Sequence, residues 1–287
     1  MSLGPFELTF WGVRGSVPSP GKATAEVGGN TSCVELRVGR ERIVFDGGTG
    51  LRPLGESLRE QTDLDLHVFF SHVHWDHIQG VPFFAPSYHP GNRVAFHAAR
   101  RHGRSLRTVL EGQMSAPYFP ITMRQVEAAL RFHDIDARQR VHLGDVTVHG
   151  VDGNHPDGVF AWRVEYKGHS VVYATDTEST SLADVAIVDL ARGADVLIYD
   201  AQYTPEEYEG RDGHPSHVGW GHSTMLDGAR IAREAGVGTL VLFHHDPGQS
   251  DAAVAEKESR ARRSFERSVA AREGLVLDVT QGFTRDL

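Results

Sequence analysis

The stretch His72-Val73-His74-Trp75-Asp76-His77 places four potential metal ligands within six consecutive residues. It directly follows residues 64–70, a nearly continuous apolar run that predicts a strand buried on both faces. Imidazole and carboxylate ligands together suit zinc, manganese or iron. A histidine-rich polar loop without metal is the alternative, but buried histidines without partners are costly. The stretch therefore predicts a metal centre, with enough ligands for two ions.

Further potential ligands stand directly after other strand-like apolar runs, where loops commonly carry function. They are His155, Asp176 and the neighbouring pair His244 and His245. Each alone could be a surface turn residue, but the shared position favours ligands. Asp46 occupies the same kind of position, and it could bind metal or orient a ligand histidine.

The segment Gly221-His222-Ser223-Thr224 precedes a predicted helix over residues 224–234. Thr224 and Asp227 have the spacing of a capping box. The amides of Ser223 and Thr224 are therefore expected to bind a phosphate at the helix N-terminus. His222 could contact a phosphoryl oxygen or protonate a leaving group, with Asp200 keeping the imidazole protonated. A plain loop residue is the alternative for His222.

The strand-like segments fall into two blocks, and helix-like segments follow each block. This order predicts sheets packed against each other with helices outside. In the second block we predict a strand over residues 141–151, a strand over 239–243 and a long amphipathic helix over 251–273. No linker separates the blocks, so the prediction is one domain spanning residues 1–287.

The composition bounds the partners and the compartment. The chain has 29 basic and 38 acidic side chains and a formal charge of −9, which disfavours nucleic acid as a partner without excluding it. A local basic patch, which could serve substrate, partner or neither, consists of Arg100, Arg101, Arg104 and Arg107. Cys33 is the single cysteine. With no signal-like N-terminus and no long apolar run, we expect a cytoplasmic protein without a membrane partner.

The types and the order of the ligands resemble the metallo-β-lactamase superfamily, in the series Asp46, His72 to His77, His155, Asp176 and His244. The resemblance implies an α/β fold, a four-layer αβ/βα sandwich with the site at the edge of its two sheets. It also implies two divalent ions, zinc before manganese, one held by His72, His74 and His155 and the other by Asp76, His77 and His244. Asp176 is expected to bridge the ions, and Asp46 and His245 to support the ligands.

Within the superfamily, the Gly-His-Ser-Thr segment together with Asp200 is similar to the phosphodiesterase branch that includes ribonuclease Z. Ribonuclease Z usually carries glutamate where this chain has Asp200. Residues 10–18 and 28–33 are similar to small bacterial relatives that hydrolyse cyclic nucleotides or other cyclic phosphates. The resemblance implies a homodimer, and it implies catalytic roles for Asp76, Asp200 and His222.

The resulting hypothesis is hydrolysis of a small, preferably cyclic, phosphate diester through a metal-bridging hydroxide, with His222 assisting the leaving group. A ribonuclease Z-like endonuclease that processes the 3′ ends of transfer RNAs is the runner-up. Thioester or lactone hydrolysis comes third, because it leaves the Gly-His-Ser-Thr segment unexplained. A non-catalytic metal-binding sensor is the alternative outside enzymes. Met114, Tyr118 and Phe119 could stack on a base, although core packing is the commoner fate of such side chains.

Overall fold

The fold is built from two β-sheets with helices on their outer faces, and the computed structural model describes residues 4–101, 103–136 and 139–281. The strands are β1 (Phe6–Gly12), β2 (Cys33–Val38), β3 (Glu41–Phe45), β4 (Asp65–Phe70), β5 (Arg93–Ala99), β6 (Ala129–Ile135), β7 (Val141–Leu143), β8 (Val146–Asp152), β9 (Phe160–Tyr166), β10 (His169–Ala174), β11 (Val196–Asp200), β12 (Thr239–Phe243), β13 (Ser268–Ala270) and β14 (Val276–Asp278). The α-helices are α1 (Leu51–Ser57), α2 (Trp75–Ile78), α3 (Leu106–Gln113), α4 (Ser181–Ala191), α5 (Pro205–Glu209), α6 (Met225–Ala235) and α7 (Asp251–Ser264). None of the helices in these ranges is long and apolar enough to cross a membrane.

The order of the strands places the site at one edge of the two sheets. The first sheet runs β14-β1-β2-β3-β4-β5-β6, and the second runs β13-β12-β11-β10-β9-β8-β7. Strands β3 to β6 are parallel to one another, and so are strands β10 to β13. The carboxyl ends of neighbouring parallel strands share one edge of a sheet. The loops after β3, β4, β10 and β12 therefore emerge close together.

The two sheets and the helices outside them form four layers, and apolar side chains fill the three interfaces between these layers. Between the sheets, Phe69 of β4 and Trp162 of β9 meet edge to face with ring centroids 5.1 Å apart. Leu110 of α3 packs on the outer face of the first sheet. Ile187 of α4 and Ala229 of α6 pack on the outer face of the second. The predicted αβ/βα sandwich is confirmed.

The strands that carry the second sheet's part of the site are the most deeply buried. Every residue of β11 and of β12 is buried. Both faces of these strands are covered, one by the first sheet and the other by helices, so nearly every position is apolar. This is why a strand over residues 239–243 could be predicted from the sequence with its correct ends.

Two predicted elements were too long. The predicted helix over residues 251–273 ends at Ser264, because the chain then forms β13, where Ser268 pairs with Leu240 of β12. The predicted strand over 141–151 is two strands joined by a turn at Gly144, which has a φ of 53°. Strand β6 and helix α4 were not predicted. The outer strand β6 alternates exposed and partly buried residues, a weaker signal than a continuous apolar run.

Candidate metal centre

The predicted ligands converge because the chain turns sharply at the ends of buried strands. Asp46 after β3, Asp176 after β10 and His244 after β12 have left-handed backbones, with φ of 58°, 53° and 60°. Aspartate and histidine adopt this conformation more readily than most side chains. Gly15 lets a further loop approach closely, because a Cβ on it would lie 2.4 Å from Cε1 of His244. The strand ends thus bring ligands from distant parts of the chain to one place.

Three histidines form what we call the open ligand group: His72, His74 and His155, whose ligand nitrogens lie within 4.8 Å of one another. Nε2 of His155 lies 3.2 Å from Nδ1 of His74, and Nδ1 of His155 donates to the carbonyl of Gly221 at 2.9 Å. Gly221 has to be glycine, since a Cβ there would lie 2.1 Å from that Nδ1. Burial lowers the pKa of His72 and of His155. Both imidazoles are therefore neutral near pH 7, the form that binds metal.

Four further side chains form what we call the buried ligand group: Asp76, His77, Asp176 and His244, all of them buried. Oδ2 of Asp76 lies 3.2 Å from Nε2 of both His77 and His244. Oδ2 of Asp176 lies 3.4 Å and 3.2 Å from the same two nitrogens. Burial by itself raises the pKa of Asp76 and Asp176, but the two histidines hold both values well below the usual range. Both carboxylates are therefore ionised.

Asp176 connects the two groups. While its Oδ2 faces His77 and His244, its Oδ1 lies 3.8 Å from Nε2 of His72 in the open ligand group. One carboxylate is therefore shared, in the place that the sequence analysis assigned to a bridging ligand.

The donor atoms of the two groups fit divalent metal ions. The Nε2 atoms of His72 and His77 are buried and form no hydrogen bond with any described residue. Carboxylate oxygens nevertheless lie 3.8 Å from the first and 3.2 Å from the second. Leaving such nitrogens without partners costs free energy, which coordination of a cation would offset. Imidazole and carboxylate donors in these numbers suit several divalent metals.

Hydrogen bonds behind the ligands hold their rings in place. Nδ1 of His77 donates to Asp46 at 2.8 Å, and Asp46 also accepts from the hydroxyls of Ser71 and Tyr173 at 2.8 and 2.7 Å. Nδ1 of His244 lies 2.9 Å from Oε1 of Gln202. Each Nε2 is thereby left to face the centre, the usual role of such supporting groups. Of the two roles that the sequence left open for Asp46, the structure places it in the orienting one.

A histidine–aspartate pair borders both ligand groups. Nδ1 of His222 donates to Oδ2 of Asp200 at 2.8 Å, and Asp200 is fully buried. The His222 ring stacks on His244 at 5.0 Å and meets His155 edge to face at 5.1 Å. Burial lowers the pKa of His222, but Asp200 outweighs it, and the pKa rises to about 9. The pair thus places an imidazole that can carry a proton beside the predicted metal ligands.

Comparison with known proteins identifies the family. A family model described as "Beta-lactamase superfamily domain" matches residues 41–245. The chain belongs to the metallo-β-lactamase superfamily. A ribonuclease Z from Synechococcus sp. (strain WH7803) is 30% identical over 96% of this chain and 96% of that protein.

Two solved structures show the same fold. The metallo-β-lactamase fold protein YhfI from Bacillus subtilis has a TM-score of 0.70 and 21% identity, covering 96% of this chain and 99% of the other. A diphosphatase from the PhnP family has a TM-score of 0.67 and 19% identity, covering 94% and 96%. The predicted membership of the superfamily is confirmed, and with it the prediction of a metal-dependent hydrolase.

The amides of Ser223 and Thr224, predicted to bind a phosphate, donate to protein carboxylates in the structure. Helix α6 does begin with the predicted capping box, in which the Thr224 amide donates to Asp227 at 3.1 Å. The Ser223 amide donates to Oδ1 of Asp200 at 3.2 Å. Both amides are therefore already occupied, and both residues are buried. A phosphate could bind to them only by displacing these bonds, so the structure offers the predicted phosphate contact no free amide here.

His245 does not support the ligands either. Its Nε2 donates to the carbonyl of Ala271 at 3.1 Å, and burial, followed by the charges of Lys257 and Arg14, holds its pKa well below the usual range. The support for His244 comes from Gln202 instead.

Of the three side chains considered for stacking on a base, two are used in packing. Met114 lies in the core beneath the first sheet, and Phe119 packs against that core. Tyr118 is exposed. Core packing was therefore the better expectation for Met114 and Phe119.

Two residues with clear roles at the site were missed. Gln202, which orients His244, follows β11 by two residues, so the strand-end signal that found Asp46 could also have found it. Glu178 accepts hydrogen bonds from the amides of Gly219 and Gly221 at 2.6 and 3.1 Å and so holds the loop before His222. Its position, two residues after Asp176, was the only signal in the sequence.

Proposed function

We propose that the protein is a phosphodiesterase that uses two divalent metal ions, zinc or manganese, to hydrolyse a small phosphate diester, preferably a cyclic one. The observation that carries the proposal is the His222–Asp200 pair beside both ligand groups. Metal binding alone is common to hydrolases of many bonds. A proton donor at this place is what the departing oxygen of a phosphate diester requires.

The open and buried ligand groups, which share Asp176, would hold the ions. When bound, such ions lower the pKa of coordinated water and neutralise charge on phosphoryl oxygens. Asp76 belongs to this set, and its Oδ2 also accepts from the amide of Ser16 at 2.7 Å. That hydrogen bond holds the carboxylate so that its Oδ2 faces both His77 and His244.

His222 supplies the proton that the leaving group needs. In hydrolysis, a water oxygen bonds to phosphorus, the P–O bond to the leaving group breaks, and the departing oxygen takes up a proton. Asp200 accepts from Nδ1 of His222, so the proton to be transferred is the one on Nε2. Asp200 is itself held by the amides of Gln202 and Ser223 at 3.0 and 3.2 Å. It therefore orients the imidazole and stabilises its charged form.

The test is His222→Ala, assayed on two diesters that differ in their leaving group. With 2′,3′-cyclic AMP, which releases an alkoxide, we expect turnover to fall about 10²–10⁴-fold. With bis(p-nitrophenyl) phosphate, whose phenolate leaves without protonation, the loss is expected to be much smaller. Metal content should stay at the wild-type level in both cases.

His169→Ala is the matched control, because His169 pairs with Asp195 at 3.2 Å at the opposite end of β10. It should leave turnover of both diesters unchanged. Normal metal content together with undiminished turnover of the cyclic substrate in His222→Ala would overturn the assigned role.

A ribonuclease Z-like activity is the second candidate, and the similarity to the Synechococcus ribonuclease Z over nearly the whole chain favours it. The formal charge of −9 argues for the small substrate, since long-range repulsion weakens the binding of a polyanion. Turnover of 2′,3′-cyclic AMP and of a precursor transfer RNA should be compared in one zinc- or manganese-supplemented assay. Preferential cleavage of the RNA at its 3′ end would replace the proposal. A protein that binds two metal ions and cleaves neither substrate would be a sensor.

A further inference from the structure

A cleft of about 480 Å³ opens directly beside the open ligand group. His72 and His74 form one end of it, and apolar side chains of Val73, Leu106 and Val109 line its walls. A cleft of this size, apolar with a few polar groups, is typical of small-molecule sites. Any diester held by the open ligand group would have one of its two substituents at this cleft.

Two arginines also line the cleft, and they differ in their contacts with the described part of the chain. Arg101 donates to the carboxylate of Asp152 and, at 3.0 Å, to the carbonyl of Val159. It also lies against Gly158, where a Cβ would come within 2.8 Å of its Nη1. Arg101 therefore holds the chain that follows His155. The exposed Arg104 side chain forms no ion pair or hydrogen bond with any described residue.

The other two members of the basic patch are placed differently. Nη2 of Arg100 lies 3.9 Å from Asp134. Arg107 donates to Glu111 at 2.8 Å, and its guanidinium lies 5.5 Å from the centre of the Phe132 ring. Neither residue lines the cleft. The four arginines that are alike in the sequence thus divide into two that face the cleft and two that do not.

We propose that the cleft is a subsite for a second anionic group of the substrate and that Arg104 binds that group. The inference rests on the phosphodiesterase function proposed above and narrows its substrate to diesters that also carry a phosphate monoester. A guanidinium binds phosphate through two parallel hydrogen bonds. In a chain of formal charge −9, a local cation that pairs with none of the described residues is what would draw a dianionic group to this place. Asp157 also lines the cleft, and its carboxylate lies 3.6 Å from Nε2 of His74. Because that carboxylate repels an anion, the anionic group binds towards Arg104.

The experiment compares two substrates that differ by one phosphate: the p-nitrophenyl ester of thymidine 5′-phosphate, and the same ester with a 3′-phosphate. Both release p-nitrophenolate from the same type of diester. The wild-type protein should have the lower KM for the 3′-phosphorylated ester. Arg104→Ala should raise that KM roughly 10- to 100-fold, the effect of losing a charge-assisted hydrogen bond, and leave kcat nearly unchanged.

The controls separate the subsite from the chemistry. Arg104→Ala should hydrolyse the ester without the 3′-phosphate at the wild-type rate, which also shows that the variant is folded. Arg107→Ala changes a patch arginine three residues after Arg104 that does not line the cleft, so it should keep the wild-type preference; Arg104→Lys should keep part of it. Equal losses on both esters in Arg104→Ala, or no preference in the wild type, would overturn the subsite alone. A metal-loaded wild type that releases no p-nitrophenolate from either ester would overturn the phosphodiesterase function and the subsite together.

Discussion

The open and buried ligand groups use similar donors but lie in different surroundings. In the buried group all four side chains are inaccessible, and two of them are carboxylates. In the open group the three donors are histidines; His74 and His155 are only half-buried, and His72 and His74 line the cleft. A buried charged ligand needs partners in the protein, and the buried group has them in Asp46, Gln202 and the Ser16 amide. The difference indicates that one group is preorganised by the protein and that the other is shaped to meet a substrate.

We expect the largest effect from changing Asp176, the residue that both ligand groups share. Asp176→Asn removes the charge but keeps the volume, and asparagine tolerates the positive φ at this position. Since the contacts to His72, His77 and His244 all weaken, we expect fewer than two bound metal ions per chain. Turnover should fall by at least about 100-fold, the upper end for loss of an outer-shell ligand partner. Metal analysis and a bis(p-nitrophenyl) phosphate assay measure both effects.

The control is Asp189→Asn, which makes the same charge change on the exposed face of α4. This variant should still bind two metal ions per chain. Full metal content and full turnover in Asp176→Asn would mean that the two groups are independent.

The second test compares the carboxylates that contact one histidine in each group. Asp46→Asn weakens the support of His77 and should lower metal affinity at the buried group about 10- to 100-fold. Asp157→Asn removes a 74% exposed carboxylate that lies 3.6 Å from His74. An exposed ion pair contributes little, so this loss should be no more than about fivefold. Both residues have positive φ values, which makes the two substitutions a matched pair.

Metal affinities can be read from competition with a chromophoric chelator. Equal losses in the two variants would contradict the idea that buried carboxylates support the buried group more strongly than an exposed carboxylate supports the open group.

The last test concerns stability and a lysine next to the support of the buried group. Lys257 is fully buried and donates to the carbonyls of Ala201 and Gln202 at 2.5 and 3.2 Å, next to the side chain that orients His244. Burial lowers its pKa to about 7, against the charges of Glu207, Asp246 and Asp200, and Arg14 lowers it further.

The folded-state pKa of Lys257 is thus below the value of about 10.4 expected in the unfolded chain. Between these values the unfolded chain binds more protons, so the free energy of unfolding rises with pH, by up to about 1.4 kcal/mol per pH unit from this group. Relative to Lys257→Met, the wild type should therefore gain stability from pH 7 to pH 9. Urea unfolding at both pH values measures this difference. If the difference in unfolding free energy between the wild type and Lys257→Met does not change with pH, then folding does not lower the pKa of Lys257.

The sequence was most informative where a signal is local. Continuous apolar runs marked the strands buried on both faces, and β12 was predicted with its observed ends. The candidate ligands were predicted because each follows such a run, and the structure brings them together. The same reasoning failed at residues 265–273, since an amphipathic pattern does not show that Ser268 pairs with Leu240. A distant contact also affected the prediction for Ser223. The capping-box motif suggests that its amide is free, but the amide donates to Asp200, 23 residues earlier.

The sequence by itself determined which side chains are available as ligands, because ligand chemistry and position after a strand are properties of short segments. Only the tertiary structure decided how those side chains are divided between a buried and an open group. The donors that meet come from distant positions: His74 and His155 are 81 residues apart, and Asp76 and His244 are 168 apart. The structure also distinguished Arg104 from its three neighbours, because Arg100, Arg101 and Arg107 lie against the acidic side chains Asp134, Asp152 and Glu111, whereas Arg104 has no such partner among the described residues.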